Sequence, residues 1–229
     1  VNFEVLDVAQ RSAAWTAARL GRLTGSGAAN ILAFSKRDGK ELAERRNYRL
    51  RLILERLTGL PQESGYQSEA MRVGIEREPL AIAAYEAHTG MVFTQTGFLS
   101  HKTLMAGASL DAHAGDFELL VSIKCRQPAA HWDFLRTGTL PPDAVAQMRH
   151  EAWMVGSSFR EHHYVSWNPD FPERMQLQVV VYTPQMLHIS AYEANAMQFL
   201  DEVDSELRVI EVCNPATLAN PKPDERERR

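Results

Sequence analysis

Between residues 91 and 125 the chain changes character. Helix-forming stretches give way to three short segments rich in β-formers, 91–100, 104–112 and 117–125, separated by Gly or polar turns. Three such segments in a row predict an antiparallel meander. Upstream, 7–34 reads as a helix, a turn at Thr24-Gly25-Ser26-Gly27, and a second helix with Ser26 as its N-cap. Residues 42–57 read as a helix with Leu50, Ile53, Leu54 and Leu57 on one apolar face and Gly59 as its stop. Ser68 begins a helical stretch that Pro79 interrupts, opening a new helix to Gly90 and leaving Glu78 at the junction. Downstream lie a short helix at 129–135 and a helix opened by Pro141-Pro142-Asp143, with Val145, Met148, Ala152 and Val155 on one face and Gly156 at its end. Strands at 159–167 and 175–183 and a final helix over 184–213 complete the pattern. This order predicts the α/β (α+β) class, a mixed β-sheet flanked by helices, as one domain over 1–213 followed by a polar tail at 214–229.

Composition narrows the function classes. With 229 residues and 45% hydrophobic content the chain can bury one substantial core. No apolar run is long enough to cross a bilayer and no basic-then-apolar leader is present, so a soluble, intracellular protein is expected. Two cysteines, Cys125 and Cys213, are too few for a disulfide framework or a zinc cluster. The net charge of −4 argues against coating nucleic acid by bulk attraction, yet Arg19 to Arg56 collects ten basic residues against four acidic ones, an excess of six. That segment is either a solvated helix face or the lining of a basic channel. His162 and His163 are adjacent and should point to opposite faces of a strand, a poor arrangement for joint metal ligation. Neither a nucleophile elbow nor a GxxxxGK[ST] phosphate loop occurs, which argues against a serine hydrolase and an ATP-driven motor.

The chemically informative residues lie on the central segments, where Ser109-Leu110-Asp111 precedes Ser122-Ile123-Lys124-Cys125. An acid at the end of one strand and a lysine on the next can meet across a hairpin. Carboxylates beside a lysine suit phosphodiester hydrolysis with a divalent cation, the lysine orienting water or offsetting developing charge. A surface ion pair is the plainer reading of the same two residues.

Five blocks in order resemble the lambda-exonuclease-like (YqaJ-type) viral recombinases of the PD(D/E)XK nuclease superfamily. They are 10–15 with Arg19-Leu20-Gly21 and Thr24-Gly25-Ser26; Gly74, Glu78-Pro79, Tyr85 and Gly90; Ser109-Leu110-Asp111; Ile123-Lys124-Cys125; and Gln147 with Trp153, Val155 and Gly156. The resemblance covers residues 10 to about 212 and implies a restriction-endonuclease-like fold. It further implies a 5′-to-3′ exonuclease of double-stranded DNA, dependent on Mg²⁺ with Mn²⁺ as a substitute, that leaves 3′ overhangs for recombination by single-strand annealing. By the same resemblance Asp111 is a metal ligand, Lys124 assists the attacking water, Glu78 is a ligand or base, Gln147 lines the site, and Ile123 offers its backbone carbonyl to a metal. Arg19, Ser26 and Thr24 correspond to a 5′-phosphate pocket, and Lys36 and Arg37 to a loop approaching DNA. Trp15 reads as a core aromatic. The resemblance also implies a homotrimeric ring with the 37–56 region lining its channel, a single-strand annealing protein as partner, and a cytoplasmic setting in a bacterial cell for a phage- or prophage-encoded protein.

One position departs from the motif. Two residues before the lysine, where the family has an acid, this chain has Ser122, a neutral hydroxyl and a poor Mg²⁺ ligand. Ser122 is a natural variant compensated by Glu118 or Glu78, an engineered substitution, or the mark of a degenerate nuclease. Glu118, four residues from Ser122, lies about 13 Å away along a strand, so Glu78 is the better candidate. A catalytically silent DNA-end-binding module and a related endonuclease remain the alternatives.

Overall fold

The computed structural model describes residues 2–62 and 68–214. Two four-stranded mixed sheets form in place of one. In the first, β1 (Phe3–Leu6), β3 (Phe98–His101), β4 (Ala106–Ala108) and β2 (Leu23–Thr24) lie in that order, β2 running parallel to β4. In the second, β5 (Ala112–Ala114), β6 (Leu119–Cys125), β7 (Glu161–Trp167) and β8 (Leu177–Tyr182) lie side by side. The expected meander is therefore split. The chain leaves the first sheet after β4, passes through Ser109-Leu110-Asp111 and enters the second at β5, which places Asp111 at the crossing between sheets.

The β6–β7 pair is parallel, with Ser122 opposite Tyr164 and Ile123 opposite Val165. A parallel pair cannot be joined by a tight turn, so the chain must cross over one face of the sheet. It does so through α4 (Pro128–Thr137) and α5 (Pro142–Val155), each opened by a proline that pre-sets the first turn. β6 is buried on both faces, as a central strand with a parallel neighbour must be. Leu120 joins the larger core with α2 (Ala43–Thr58), α5 and α7 (Ile189–Cys213), while Val121, Ile123 and Val165 join a second core under α3 (Glu69–Thr89).

Several expectations are corrected. Over 7–34 only α1 (Ala13–Arg19) is an α-helix; Ser12 caps it, and the expected second helix is two 3₁₀ turns, Gly25–Gly27 and Asn30–Leu32, with Ser26 inside the first. α3 runs through Pro79 without a break, so Glu78 lies within a helix; the missing Pro79 N–H removes one ladder bond, which the remaining length of helix tolerates. α2 buries Tyr48, Leu52 and Ile53; of the predicted face Ile53 is buried and Leu54 half-buried, while Leu50 and Leu57 are exposed at 50% and 43%. The long terminal helix is interrupted at His188, whose φ of 49° separates a one-turn α6 (Pro184–Leu187) from α7. Gly59 and Gly90 do end α2 and α3, each in the left-handed conformation that a Cβ disfavours.

The arginines of α2 do not line a channel as a group. Arg45 and Arg49 are buried and ion-paired with Glu41 and with Glu202 of α7, Arg49 also with Glu206, and Arg56 pairs with Asp204. A basic run in sequence became an internal clamp because α7 presents acids at matching turns. No helix among the described residues is long and apolar enough to cross a membrane. The polar tail expected at 214–229 lies outside the described residues beyond Asn214.

Candidate active site

Asp111 and Lys124 converge because β5 and β6 form an antiparallel pair and Asp111 immediately precedes β5. Asp111 Oδ2 accepts the Ile123 backbone N–H at 2.8 Å and lies 3.6 Å from Lys124 Nζ. The hydrogen bond holds the carboxylate against β6. Lys124 is held above the usual lysine range, first by the Asp111 charge, so it remains protonated.

Ser122 points to the opposite side of β6 from the α3 core, toward α5. Its hydroxyl lies 2.9 Å from His162 Nε2 on the parallel strand and 3.5 Å from Glu151 Oε2. Sequence alone did not single out Glu151. It lies one turn beyond Gln147 on α5, is only 2% exposed, and its Oε1 accepts from Gln147 Nε2 at 2.7 Å. Burial, reinforced by the charge of Asp111, pushes its carboxyl up to about 8. Burial also pushes the His162 imidazole down to about 3, so the 3.4 Å approach of His162 to Glu151 is no ion pair at neutral pH. The Gln-x-x-x-Glu spacing of a single helix face was the available signal, but nothing in sequence tied α5 to Ser122.

Glu78 reaches the same cleft from α3. Its Oε2 accepts from Arg11 Nη2 at 2.8 Å, which engages the carboxylate that was a candidate ligand. Glu118 lies at the far end of β6, where its carbonyl accepts from the Arg160 and Glu161 N–H groups.

A second cluster stands beside the first. Arg19 donates to Ser26 Oγ at 3.2 Å and approaches Ser109 Oγ at 3.5 Å, while Thr24 Oγ1 and Ser26 Oγ are 3.2 Å apart. Trp15 is half-buried and not a core aromatic: its indole donates to Ser109 Oγ at 2.8 Å and its ring carries the Arg19 guanidinium at 4.1 Å. Ser109 thus links the cation cluster to Asp111, two residues away. One cleft of about 1010 Å³ is lined by Trp15, Arg19, Thr24 and Ser26 on one side and Ile123, Lys124 and Glu78 on the other. Arg51 and Arg126 also face it, Arg126 held by a 2.6 Å bond to the Tyr164 hydroxyl. Lys36 and Arg37 lie in an exposed turn and are not brought to this cleft. His162 and His163 do face opposite ways, His163 toward the Tyr85 hydroxyl.

Among the described residues, no three His, Cys, Asp or Glu side chains form a complete metal cluster. What converges is a sparse set of oxygen donors, a set suited to a hard divalent cation that keeps several waters.

A model of the YqaJ-like viral recombinase domain matches residues 14–158. No curated protein sequence matches the chain. The fold is similar to that of an alkaline exonuclease, LHK-Exo, from Laribacter hongkongensis, with 30% identity and a TM-score of 0.76 over 88% of this chain and 97% of that one. The same enzyme solved in complex with dAMP matches at 31% identity, with the same TM-score and coverage. A phage-related exonuclease from Haemophilus somnus shares the fold at 13% identity and a TM-score of 0.57, over 81% of this chain and 96% of that one. With more than half its length matched by the family model, and an exonuclease of 30% identity superposing across nearly all of it, the chain belongs to the YqaJ-like viral recombinase domain family.

Proposed function

We propose that this protein is a metal-dependent 5′-to-3′ exonuclease of double-stranded DNA whose 3′ overhangs feed recombination by single-strand annealing. The observation that carries the reading is one cleft lined both by Lys124, whose partner Asp111 suits hydrolysis, and by an Arg19–Ser26–Thr24 cluster suited to a terminal phosphate. Arginine and hydroxyl donors are the groups that grip a phosphate monoester, and gripping the 5′ end determines which phosphodiester reaches Asp111. LHK-Exo holds dAMP, a mononucleotide of the size that such an enzyme releases.

The oxygen donors fit Mg²⁺, or Mn²⁺ in its place, held by Asp111 and the Ile123 carbonyl; when bound, the ion supplies Lewis-acid polarisation and lowers the pKa of water. Lys124, cationic beside Asp111, orients the attacking water and offsets charge building on the phosphoryl oxygens. Gln147 fixes the α5 side of the site through its bond to Glu151. Arg19 stacks on Trp15, which holds its guanidinium in place while leaving it facing the cleft. A homotrimeric ring, a single-strand annealing partner and a cytoplasmic setting in the bacterial cell complete the proposal. Light scattering on the purified chain tests the ring: a monomer would remove it.

The decisive assay compares a 5′-phosphorylated linear duplex with a covalently closed circle in Mg²⁺. Loss of the linear duplex alone, with 5′ mononucleotides as product, is expected; cutting of the circle would replace the exonuclease by an endonuclease. Ser122 favours a second reading, a silent module that grips DNA ends without cutting. End binding with no cleavage of either substrate, in Mg²⁺ and in Mn²⁺, would establish it.

A further inference from the structure

We propose that Glu151 of α5, and not a residue of β6, supplies the second carboxylate of the hydrolytic site, so that Asp111 and Glu151 together hold the divalent cation. The assignment rests on the nuclease reading for its chemistry and on three features of geometry for its residue.

The first is space. Glu151 Oε2 lies 3.5 Å from the Ser122 hydroxyl, and both are almost wholly buried. A glutamate at position 122 would extend its carboxylate into the volume that the Glu151 carboxylate occupies. Two acids cannot share that volume without mutual repulsion, so the small hydroxyl at 122 is the complement of the long acid at 151. The carboxylate is delivered to one place in space from a helix where a strand residue would otherwise deliver it.

The second is orientation. Gln147 Nε2 donates to Oε1 at 2.7 Å, and Oε2 faces Ser122 and His162, so the carboxylate is held against rotation from two sides. A ligand held in place before the cation arrives loses little entropy on binding it. The third is cost. A 2% exposed acid whose side-chain polar partners, Gln147, Ser122 and His162, are all neutral is an expensive structural element, and a Gln or Met would pack at this position without that cost. Lys124, the nearest cation on β6, already faces Asp111. The other acids do not compete: Glu78 is engaged by Arg11, and Glu118 sits at the far end of β6.

The test is Mn²⁺ binding to the full-length protein by calorimetry, read alongside melting temperature and degradation of a 5′-phosphorylated duplex. Glu151→Gln keeps the shape and is expected to weaken Mn²⁺ binding by at least about tenfold and to depress nuclease activity, with the fold intact. Glu151→Asp, which draws the carboxylate back, serves if the Gln variant does not fold, and is expected to weaken Mn²⁺ in the same direction. Glu118→Gln should bind Mn²⁺ as the wild type does. The exchange Ser122→Glu with Glu151→Ser should recover most of the affinity that Glu151→Gln loses. Unchanged Mn²⁺ affinity in folded Glu151→Gln or Glu151→Asp overturns the assignment, and so does an exchange variant no better than Glu151→Gln. The two proposals fail separately. Wild type that binds Mn²⁺ through Glu151 but leaves DNA ends intact overturns the exonuclease, whereas a wild type that degrades ends while folded Glu151→Gln does so equally well overturns only the role of Glu151.

Discussion

Lowering the pH from 7 to 5 should destabilise the fold by about 2 kcal/mol through His150 alone. His150 lies on α5 beside Glu151 and is wholly buried between β4 and α7. Its Nε2 is 2.9 Å from the Gly107 carbonyl oxygen and its Nδ1 2.9 Å from the Tyr192 hydroxyl. A carbonyl only accepts, so Nε2 carries the proton and Nδ1 accepts from Tyr192. Protonating Nδ1 removes that acceptor and places a charge out of reach of water; burial holds the imidazole down at about 4, against 6.5 for a free histidine. Between those two values the unfolded chain binds a proton that the folded protein refuses. Stability is therefore complete above pH 6.5 and drains away as pH falls toward 4. At pH 5 the unfolded imidazole is nearly all charged and the folded one only about one-tenth charged, which sets the figure of about 2 kcal/mol. Glu151 acts in the opposite sense over part of this range, because its raised carboxyl keeps a proton that the unfolded chain releases above pH 4.5. The wild-type curve thus mixes these two groups with His162, whose imidazole burial holds down at about 3, and comparison with His150→Gln isolates His150. Gln cannot titrate, while the Glu151 and His162 contributions are common to both proteins. Urea unfolding at pH 7 and pH 5 should show the stability gap between the two shifting by about 2 kcal/mol in favour of the variant at pH 5. Equal pH dependence in the two proteins would refute a buried neutral imidazole at this position.

Other substitutions probe the cleft and the clamp. Asp111→Asn, which can still accept the Ile123 N–H, should lower nuclease activity by about a hundredfold or more with little change in melting temperature; retention of activity in a quantitative duplex-degradation assay would exclude Asp111 from the chemistry. Arg19→Ala removes the cation beside Ser26 and should cut the preference for 5′-phosphoryl over 5′-hydroxyl ends by about tenfold, the worth of a charge-assisted hydrogen bond, measured as a ratio of rates on the two substrates. Arg45→Met leaves Glu41 and Glu202 without one shared partner and should cost about 2 kcal/mol in urea unfolding, less than for fully buried acids because both are partly exposed. The salt dependence of DNA binding should not change, since Arg45 serves the fold; a shallower salt slope would return α2 to the DNA surface. Gly27→Ala would drive a Cβ into the Tyr48 ring and should destabilise by about 1–3 kcal/mol in the same urea measurement, by displacing the hydroxyl that accepts from the Thr24 N–H.

Local patterns carried much of this protein. Period-two segments rich in β-formers became β6, β7 and β8, and glycine stops at 59 and 90 ended helices where expected, because these signals depend on a residue's own backbone preferences. Lys124, Arg19, Ser26 and Thr24, each named from motif order, line one cleft, and Asp111 lies against Lys124. Where local and tertiary preferences conflicted, the tertiary ones prevailed. Leu50 and Leu57 make an apolar row on paper, but α2 turns Tyr48 and Leu52 inward because Tyr48 stacks on Phe199 of α7. The arginines of the same helix read as a solvated or DNA-facing surface, yet find acids more than 150 residues away, at 202 and 206.

By itself the sequence determined the class of fold and the family, and it named Asp111, Lys124 and the Arg19–Ser26–Thr24 cluster, which the structure brings close together, since each is carried by residue type and short spacing. It also exposed the one anomaly, a serine in place of an acid. Only the tertiary structure decided what stands opposite that serine. The β6–β7 pair is parallel, a parallel pair requires a crossover, and the crossover lays α5 over the face from which Ser122 points. Glu151 meets Ser122 through that topology, across 29 residues of chain, a relation that no local periodicity encodes.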